Sequence, residues 1–287
     1  MTEKERDKLE KKTLKYGLLQ FRKVDEYLLE NLLENTISLG HKKYFNDPFD
    51  CSLPMSSEAS YDTISKYLKA MNPSVCPENL SNKAKEIFEN KEQHLKEIES
   101  LIYNHRRFSC FTIATPDKHL TNSLFWANYA DKHQGVCIKY SGELLKHQYN
   151  TSVAKAYLLP VDYTKNNNIP VIDYFQNKLK GDKKFSEYCM LTKGKSWRHE
   201  EEVRMIYYSK STINAPYVTI QVPPSFIEEI YFGCNFNFDG VLEQEILKVL
   251  TRPKYWGIKL FRLLRNEQKF TLDRENYNNQ FSSLRSE

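Results

Sequence analysis

The chain has 287 residues, 40% of them hydrophobic, and sets 42 Lys and Arg against 37 Asp and Glu for a mild net charge of +5. That is the composition of a globular protein with a real core, and without an arginine-rich block it does not demand a nucleic-acid partner. There is no apolar run long enough for a membrane, no signal peptide after Met1, and neither a G-x-x-x-x-G-K nor a G-x-G-x-x-G motif; a cytoplasmic protein outside the P-loop and Rossmann classes is expected.

In chain order, residues 1–12 are almost all charged and read as a loose lead-in. Thr13–Phe21 reads as a strand, Val24–Leu33 as a helix with an apolar stripe, and Thr36–Leu39 as a strand closed by Gly40. The Asn46-Asp47-Pro48 turn, rimmed by Phe45 and Phe49, follows. Residues 60–107 read as a helical insertion: one helix over Asp62–Met71, a break at Pro73 and Pro77, and a longer helix over Ser81–Arg106 with Ser81 as its cap. Arg107–Ile113 is a strand, and Pro116-Asp117 a turn. Thr121–Gly135 reads as a short helix on which Trp126, Tyr129 and His133 share a face. Strands are expected at Val136–Tyr140 and Ala154–Tyr163, an irregular stretch over 164–182, and a short helix at Phe185–Leu191. After the Val203 strand come strands at Tyr217–Val222 and Ile227–Phe232, a helix at Phe238–Leu250, strands at Gly257–Leu263 and Phe270–Leu272, and a loose tail over 274–287. With no regular βαβ alternation, the pattern is α+β: mixed, mostly antiparallel sheets with a helical insertion, in one domain over 13–272. None of the six cysteines forms a C-x-x-C pair, so buried thiols are expected and no metal site.

The densest chemistry lies in Lys193–Tyr208, KGKSWRHEEEVRMIYY. Val203–Tyr208 reads as a strand, and if the strand begins by Glu200, alternation puts Glu200, Glu202, Arg204 and Ile206 on one face. Two carboxylates and a guanidinium in a row are either catalytic or a structural ion pair. The loop residues Asn46, Asp47 and Phe49, and the helix residues Trp126, Tyr129 and His133, are the candidate ligand contacts. Convergence of these three stretches on one cleft would explain their shared polarity.

Four stretches carry a resemblance: FNDPFD at Phe45–Asp50, SCFT at Ser109–Thr112, FWANYADKHQGVCIKY at Phe125–Tyr140, and W-x-x-E-x-E-x-R at Trp197–Arg204 followed by EEIYFGC at Glu228–Cys234. They resemble bacterial domain-of-unknown-function family two-nine-seven-one, in order and over about Leu14 to Leu263. The resemblance implies association with toxins and antiphage defence rather than a settled activity. The E-x-E pair leading into a strand is also similar to the motif of ADP-ribosyltransferases. That likeness implies an ADP-ribosyltransferase-like fold and NAD as substrate, with Glu202 as the catalytic carboxylate, Glu200 on the acceptor side and Arg204 beside them. The acceptor would be a protein or nucleic acid, and a phage or toxin–antitoxin product the partner. The Ser-Thr-Ser of those enzymes is missing here. Two other readings stand beside it: a metal-dependent nuclease built on Asp47, Asp50, Asp131, Glu200 and Glu202, and a non-catalytic sensor or binding module of a defence system. The oligomeric state is not legible in the sequence.

Overall fold

Residues 3–56, 58–116, 118–147, 149–166, 168–180 and 185–278 are described by a computed structural model. The charged lead-in is a helix, α1 (Glu3–Tyr16), and the strand expected from Thr13 begins only at Leu18. Thr13 explains the difference: it is buried, bonds the Leu9 carbonyl oxygen at 2.9 Å, and so completes a helical turn. Lys12 ties the helix to the body through Glu201 at 2.7 Å. Gly17 then turns the chain with φ of 81°, and a Cβ there would run into the Tyr140 carbonyl oxygen, so the turn needs glycine.

The remaining elements follow in chain order: β1 (Leu18–Arg22), α2 (Glu26–Glu34), β2 (Thr36–Gly40), β3 (Met55–Ser56), α3 (Tyr61–Met71), α4 (Pro77–Glu89), α5 (Lys91–Asn104), β4 (Arg106–Ile113), α6 (Ser123–Tyr129), β5 (Val136–Tyr140), β6 (Tyr149–Asn150), β7 (Ala154–Pro160), β8 (Asp162–Tyr163) and β9 (Ile172–Asp173). Next come α7 (Tyr174–Leu179), α8 (Phe185–Leu191), β10 (Thr192–Lys193), β11 (Glu202–Ser209), β12 (Tyr217–Gln221), β13 (Ile227–Phe232), α9 (Val241–Leu250), β14 (Lys259–Arg265) and β15 (Leu272–Asn276). The long helix expected over Ser81–Arg106 is two. It breaks at Asn90 (φ −121°, ψ 37°), and Pro77, not Ser81, opens the first. The irregular stretch 164–182 holds β9 and α7, with residues 167, 181 and 182 outside the described part. Part of the expected loose tail, Arg274–Asn276, pairs as strand; residues 279–287, Asp117, Met1 and Thr2 lie outside the described residues.

The architecture is α+β, a curled and mostly antiparallel sheet with the helical insertion on one side. The main sheet runs β15-β14-β13-β5-β1-β4-β11-β7-β6, with β2 and β12 branching from β4. Its β13–β14 rung is parallel. Val203 and Met205 of β11 point into the main core with Phe111, Ile138 and Ile230, which α2 and α9 cover through Leu28, Leu32, Ile246 and Leu250. The insertion keeps its own apolar cluster, with Ile64, Ala84, Phe175 and Phe185 at its centre.

One irregularity positions the site. The β1–β4 ladder stops at Leu19–Thr112, while β1 continues along β5 to Arg22. Farther along β4, β2 joins only at Gly40–Phe108. The sheet therefore parts beside Ser109–Phe111. In this stretch Cys110 of β4 is exposed, while Ser109 and Phe111 on either side are buried.

Candidate functional site: a buried carboxylate–cation network

Alternation along β11 sends Glu202 and Arg204 to the face opposite the main core, where Arg204 lies across from Cys110 and Glu202 from Thr112. Glu200 arrives by another route than the expected strand face. It ends a 3-10 turn over Lys195–Glu200, and Glu201 takes a left-handed conformation (φ 46°) before the strand begins. That twist turns Glu201 away to Lys12 and Lys118, each at 2.7 Å. The Thr112 hydroxyl donates to the Glu200 carbonyl oxygen and fixes the turn against β4.

Arg204 is wholly buried and all its nitrogens are engaged. Its two terminal nitrogens grip Asp50 in a fork, both contacts 2.9 Å, and Nε donates to Glu202 at 2.8 Å. A further donation at 2.6 Å reaches the Met190 carbonyl oxygen. Such bidentate, charge-assisted bonds are the strong and orienting kind. Lys193, on the short β10 strand, completes the network: its ammonium lies 2.6 Å from Glu200, 3.0 Å from Glu202 and 3.5 Å from Asp50. The Trp197 ring covers it at 4.8 Å. Asp50, Lys193, Glu200 and Glu202 are each no more than 6% exposed. Three carboxylates thus face two cations.

The loop and α6 meet this network from the solvent side. The Tyr129 hydroxyl donates to Glu200 and also bonds the exposed Asn46 side chain. Phe45 stacks on the Arg204 guanidinium at 5.1 Å. Cys110 of β4 lies beside the network, its thiol donating to Glu202; the protein packed around it and the Glu202 charge push that thiol well above its ordinary value. Behind the network, the Tyr163 hydroxyl accepts from the Glu202 amide at 2.9 Å.

Of the residues singled out in the sequence, Glu200, Glu202, Arg204, Tyr129 and Asn46 come together. Asp47 is buried but serves its own loop, accepting from the Phe49 amide at 3.0 Å. Phe49 points outward and is 64% exposed. Trp126 is fully buried, donating to the Leu120 carbonyl oxygen at 2.7 Å, and packs on Phe21 as core. His133 does not share the Tyr129 face, because α6 ends at Tyr129 and Asp131, Lys132 and His133 all adopt positive φ. Gly233 permits that turn: a Cβ there would meet the His133 carbonyl oxygen. Lys193, Tyr163 and Cys110 escaped the sequence reading, and Asp50 entered it only as a metal ligand. Among the described residues no three His, Cys, Asp or Glu side chains are placed to hold a metal ion. Where a cation would sit between Asp50, Glu200 and Glu202, Lys193 and Arg204 already do. The cysteines are all free, with Cys51, Cys137 and Cys189 buried as expected but Cys76 and Cys110 exposed.

The charges set an acid limit on the fold. Burial alone would raise Glu202, but Arg204 and then Lys193 outweigh it and hold the carboxyl at about 2, against an ordinary value of 4.5. The stabilisation is complete above pH 4.5 and is lost as pH falls toward 2; a shift of that size corresponds to roughly 3 kcal/mol. Glu202→Gln is expected to flatten stability between those pH values. Urea melts from pH 5 to 2.5 check it, and an unchanged slope would contradict the assignment.

No described helix is long and apolar enough to cross a membrane. No curated protein and no protein of solved structure is similar enough to match the chain. Residues 125–205 do match the model of a family described as "Protein of unknown function (DUF2971)". The matched stretch carries Tyr129, Tyr163, Lys193, Glu200, Glu202 and Arg204, and the remaining three residues of the site, Asn46, Asp50 and Cys110, come from before it. The match runs from α6 to the first half of β11, where the Phe125–Tyr140 and Trp197–Arg204 motifs lie, and over that stretch the chain is similar to the DUF2971 family.

Proposed function

We propose that the surface at Cys110, beside the carboxylate network, binds a ligand with a cationic centre, and that the protein is an NAD-consuming transferase of the ADP-ribosyltransferase kind. The observation that carries this reading is the excess carboxylate in a buried network beside the exposed residue Cys110. Fixed negative charge in such a place favours a pyridinium ring and the oxocarbenium-like sugar formed as the ring leaves, without reorganisation at the moment of reaction. The roles of the two glutamates exchange relative to the motif. Both oxygens of Glu202 are held by buried cations, Arg204 and Lys193, so it positions. Glu200 gives one oxygen to Lys193 and the other to the half-buried Tyr129 hydroxyl, the partner a ligand can displace, and is the carboxylate that would meet the sugar. The departing nicotinamide would lie against Tyr129 and the Asn46 loop, displacing the bond between them, and the acceptor, protein or nucleic acid, would enter over Cys110. A toxin or antiphage effector role belongs to the same proposal.

Isothermal titration with NAD, and separately with Mg²⁺, tests it alongside chromatography for released nicotinamide. Saturable NAD binding with nicotinamide release is the expected result. Binding without release would make the protein a sensor. A Mg²⁺ response with nucleic-acid cleavage and no NAD binding would replace the proposal with the nuclease.

A further inference from the structure

A recess lies at the other end of β4 and β11, where Arg106 pairs with Tyr208. Six residues of strand, roughly 20 Å, separate it from Thr112 and the carboxylate network. It encloses about 310 Å³ between α5, α7, α8 and the sheet. Its walls are apolar and aromatic: Leu101 and Ile102 from α5, Tyr174 from α7, Phe185 from α8 and Tyr208 from β11. Two cations, Arg106 and Lys178, project among them, and among the described residues no acidic one lines the space.

Neither cation has a carboxylate within 4 Å among the described residues, which sets them apart from Lys193 and Arg204. Arg106 donates one terminal nitrogen to the Ile102 carbonyl oxygen and lays its guanidinium over the Tyr208 ring at 5.1 Å. Its Nε is buried with no hydrogen-bond partner among the described residues. Lys178 stands about as far from two rings, 5.9 Å from Tyr174 and 5.7 Å from Phe185. A buried guanidinium nitrogen without a partner is costly and calls for an explanation, and a bound anion supplies one. The lost hydration lowers the Arg106 value, a strain that an anion would relieve.

We infer that this recess is a binding site for a phosphate monoester carried on an aromatic ring. Two unpaired cations match the near-dianionic charge of a phosphate monoester better than a carboxylate's single charge. Arg106 offers the planar fork for phosphate oxygens, Lys178 a mobile point charge, and Tyr174, Phe185 and Tyr208 the surface for the ring. The volume suits a small molecule. The site is independent of the NAD reading and stands or falls apart from it.

Isothermal titration of the full chain with phenyl phosphate tests the inference, with inorganic phosphate, phenol and benzoate as controls. Saturable phenyl phosphate binding is expected, at least about tenfold tighter than any control and weakened about tenfold by Arg106→Gln, the loss of one charge-assisted contact. Lys178→Gln should weaken it severalfold; it touches no backbone bond, so it serves if Arg106→Gln does not fold. Absence of saturable binding overturns the inference. So does benzoate or phosphate binding as tightly as phenyl phosphate, or wild-type affinity in both variants.

Discussion

Arg204→Met is expected to cost about 3–5 kcal/mol of folding stability, because it strips Asp50 and Glu202 of their main counter-charge while leaving both carboxylates buried. The side chain is fully buried and holds Asp50, Glu202 and the Met190 carbonyl oxygen together, elements drawn from the loop before the insertion, from α8 and from β11. Methionine fills much of the volume, so the loss reports charge and hydrogen bonding more than a cavity. Arg204→Lys keeps the charge but cannot form the fork to Asp50, and should fall between the two. Adding Asp50→Asn to Arg204→Met removes one stranded charge and is expected to recover part of the loss, a coupling that a double-mutant cycle in urea measures. A loss under about 1 kcal/mol for Arg204→Met would mean that the pair behaves like an exposed ion pair, against its burial.

That Glu202 and Arg204 share one face of β11 was legible, because alternation is a property of the extended backbone; that the other face, with Val203 and Met205, meets the main core is what the structure adds. The fold class was legible for the same reason: short alternating runs without βαβ spacing. What alternation could not show is that Glu201 breaks the strand with a left-handed turn, and that Glu200 reaches the network anyway because its 3-10 turn is pinned to Thr112. Lys193 had no local signature. In a polar KGK stretch a lysine reads as surface, and only the pairing of β10 with β8 draws it inward. Asp50 meets an arginine 154 residues away, a contact that depends on topology alone. The Trp126–Tyr129–His133 stripe divided as helical spacing cannot foresee, the indole into the core, the phenol into the site, and the imidazole beyond the helix end. Thr13–Phe21 misled because its apolar residues suit a strand, while Thr13 itself closes a helical turn.

Glu200→Gln carries the largest expected effect on turnover. Glutamine keeps the shape and still accepts from the Tyr129 hydroxyl, but it removes the carboxylate charge that the proposed sugar cation would feel. Loss of one preorganised electrostatic partner costs about 10²–10³ in rate, or about 2.7–4 kcal/mol. Affinity for NAD should change much less, since positive charge develops on the sugar mainly in the transition state. Stability separates this role from a purely structural one. Lys193 would keep Glu202 as a charged partner at 3.0 Å, and the charge balance of the network would improve from three carboxylates against two cations to two against two. Glu200→Gln gives up the 2.6 Å ion pair to Lys193, so it is expected to melt below wild type but stay folded, and to lose nicotinamide release in the folded protein. Tyr129→Phe tests the same geometry without touching charge: it frees one Glu200 oxygen and removes the contact to Asn46. It should weaken NAD binding while sparing most of the rate at saturation. Full activity in Glu200→Gln would remove the carboxylate from the chemistry. A collapse in stability with activity preserved in the folded fraction would assign Glu200, like Glu202, to holding the fold.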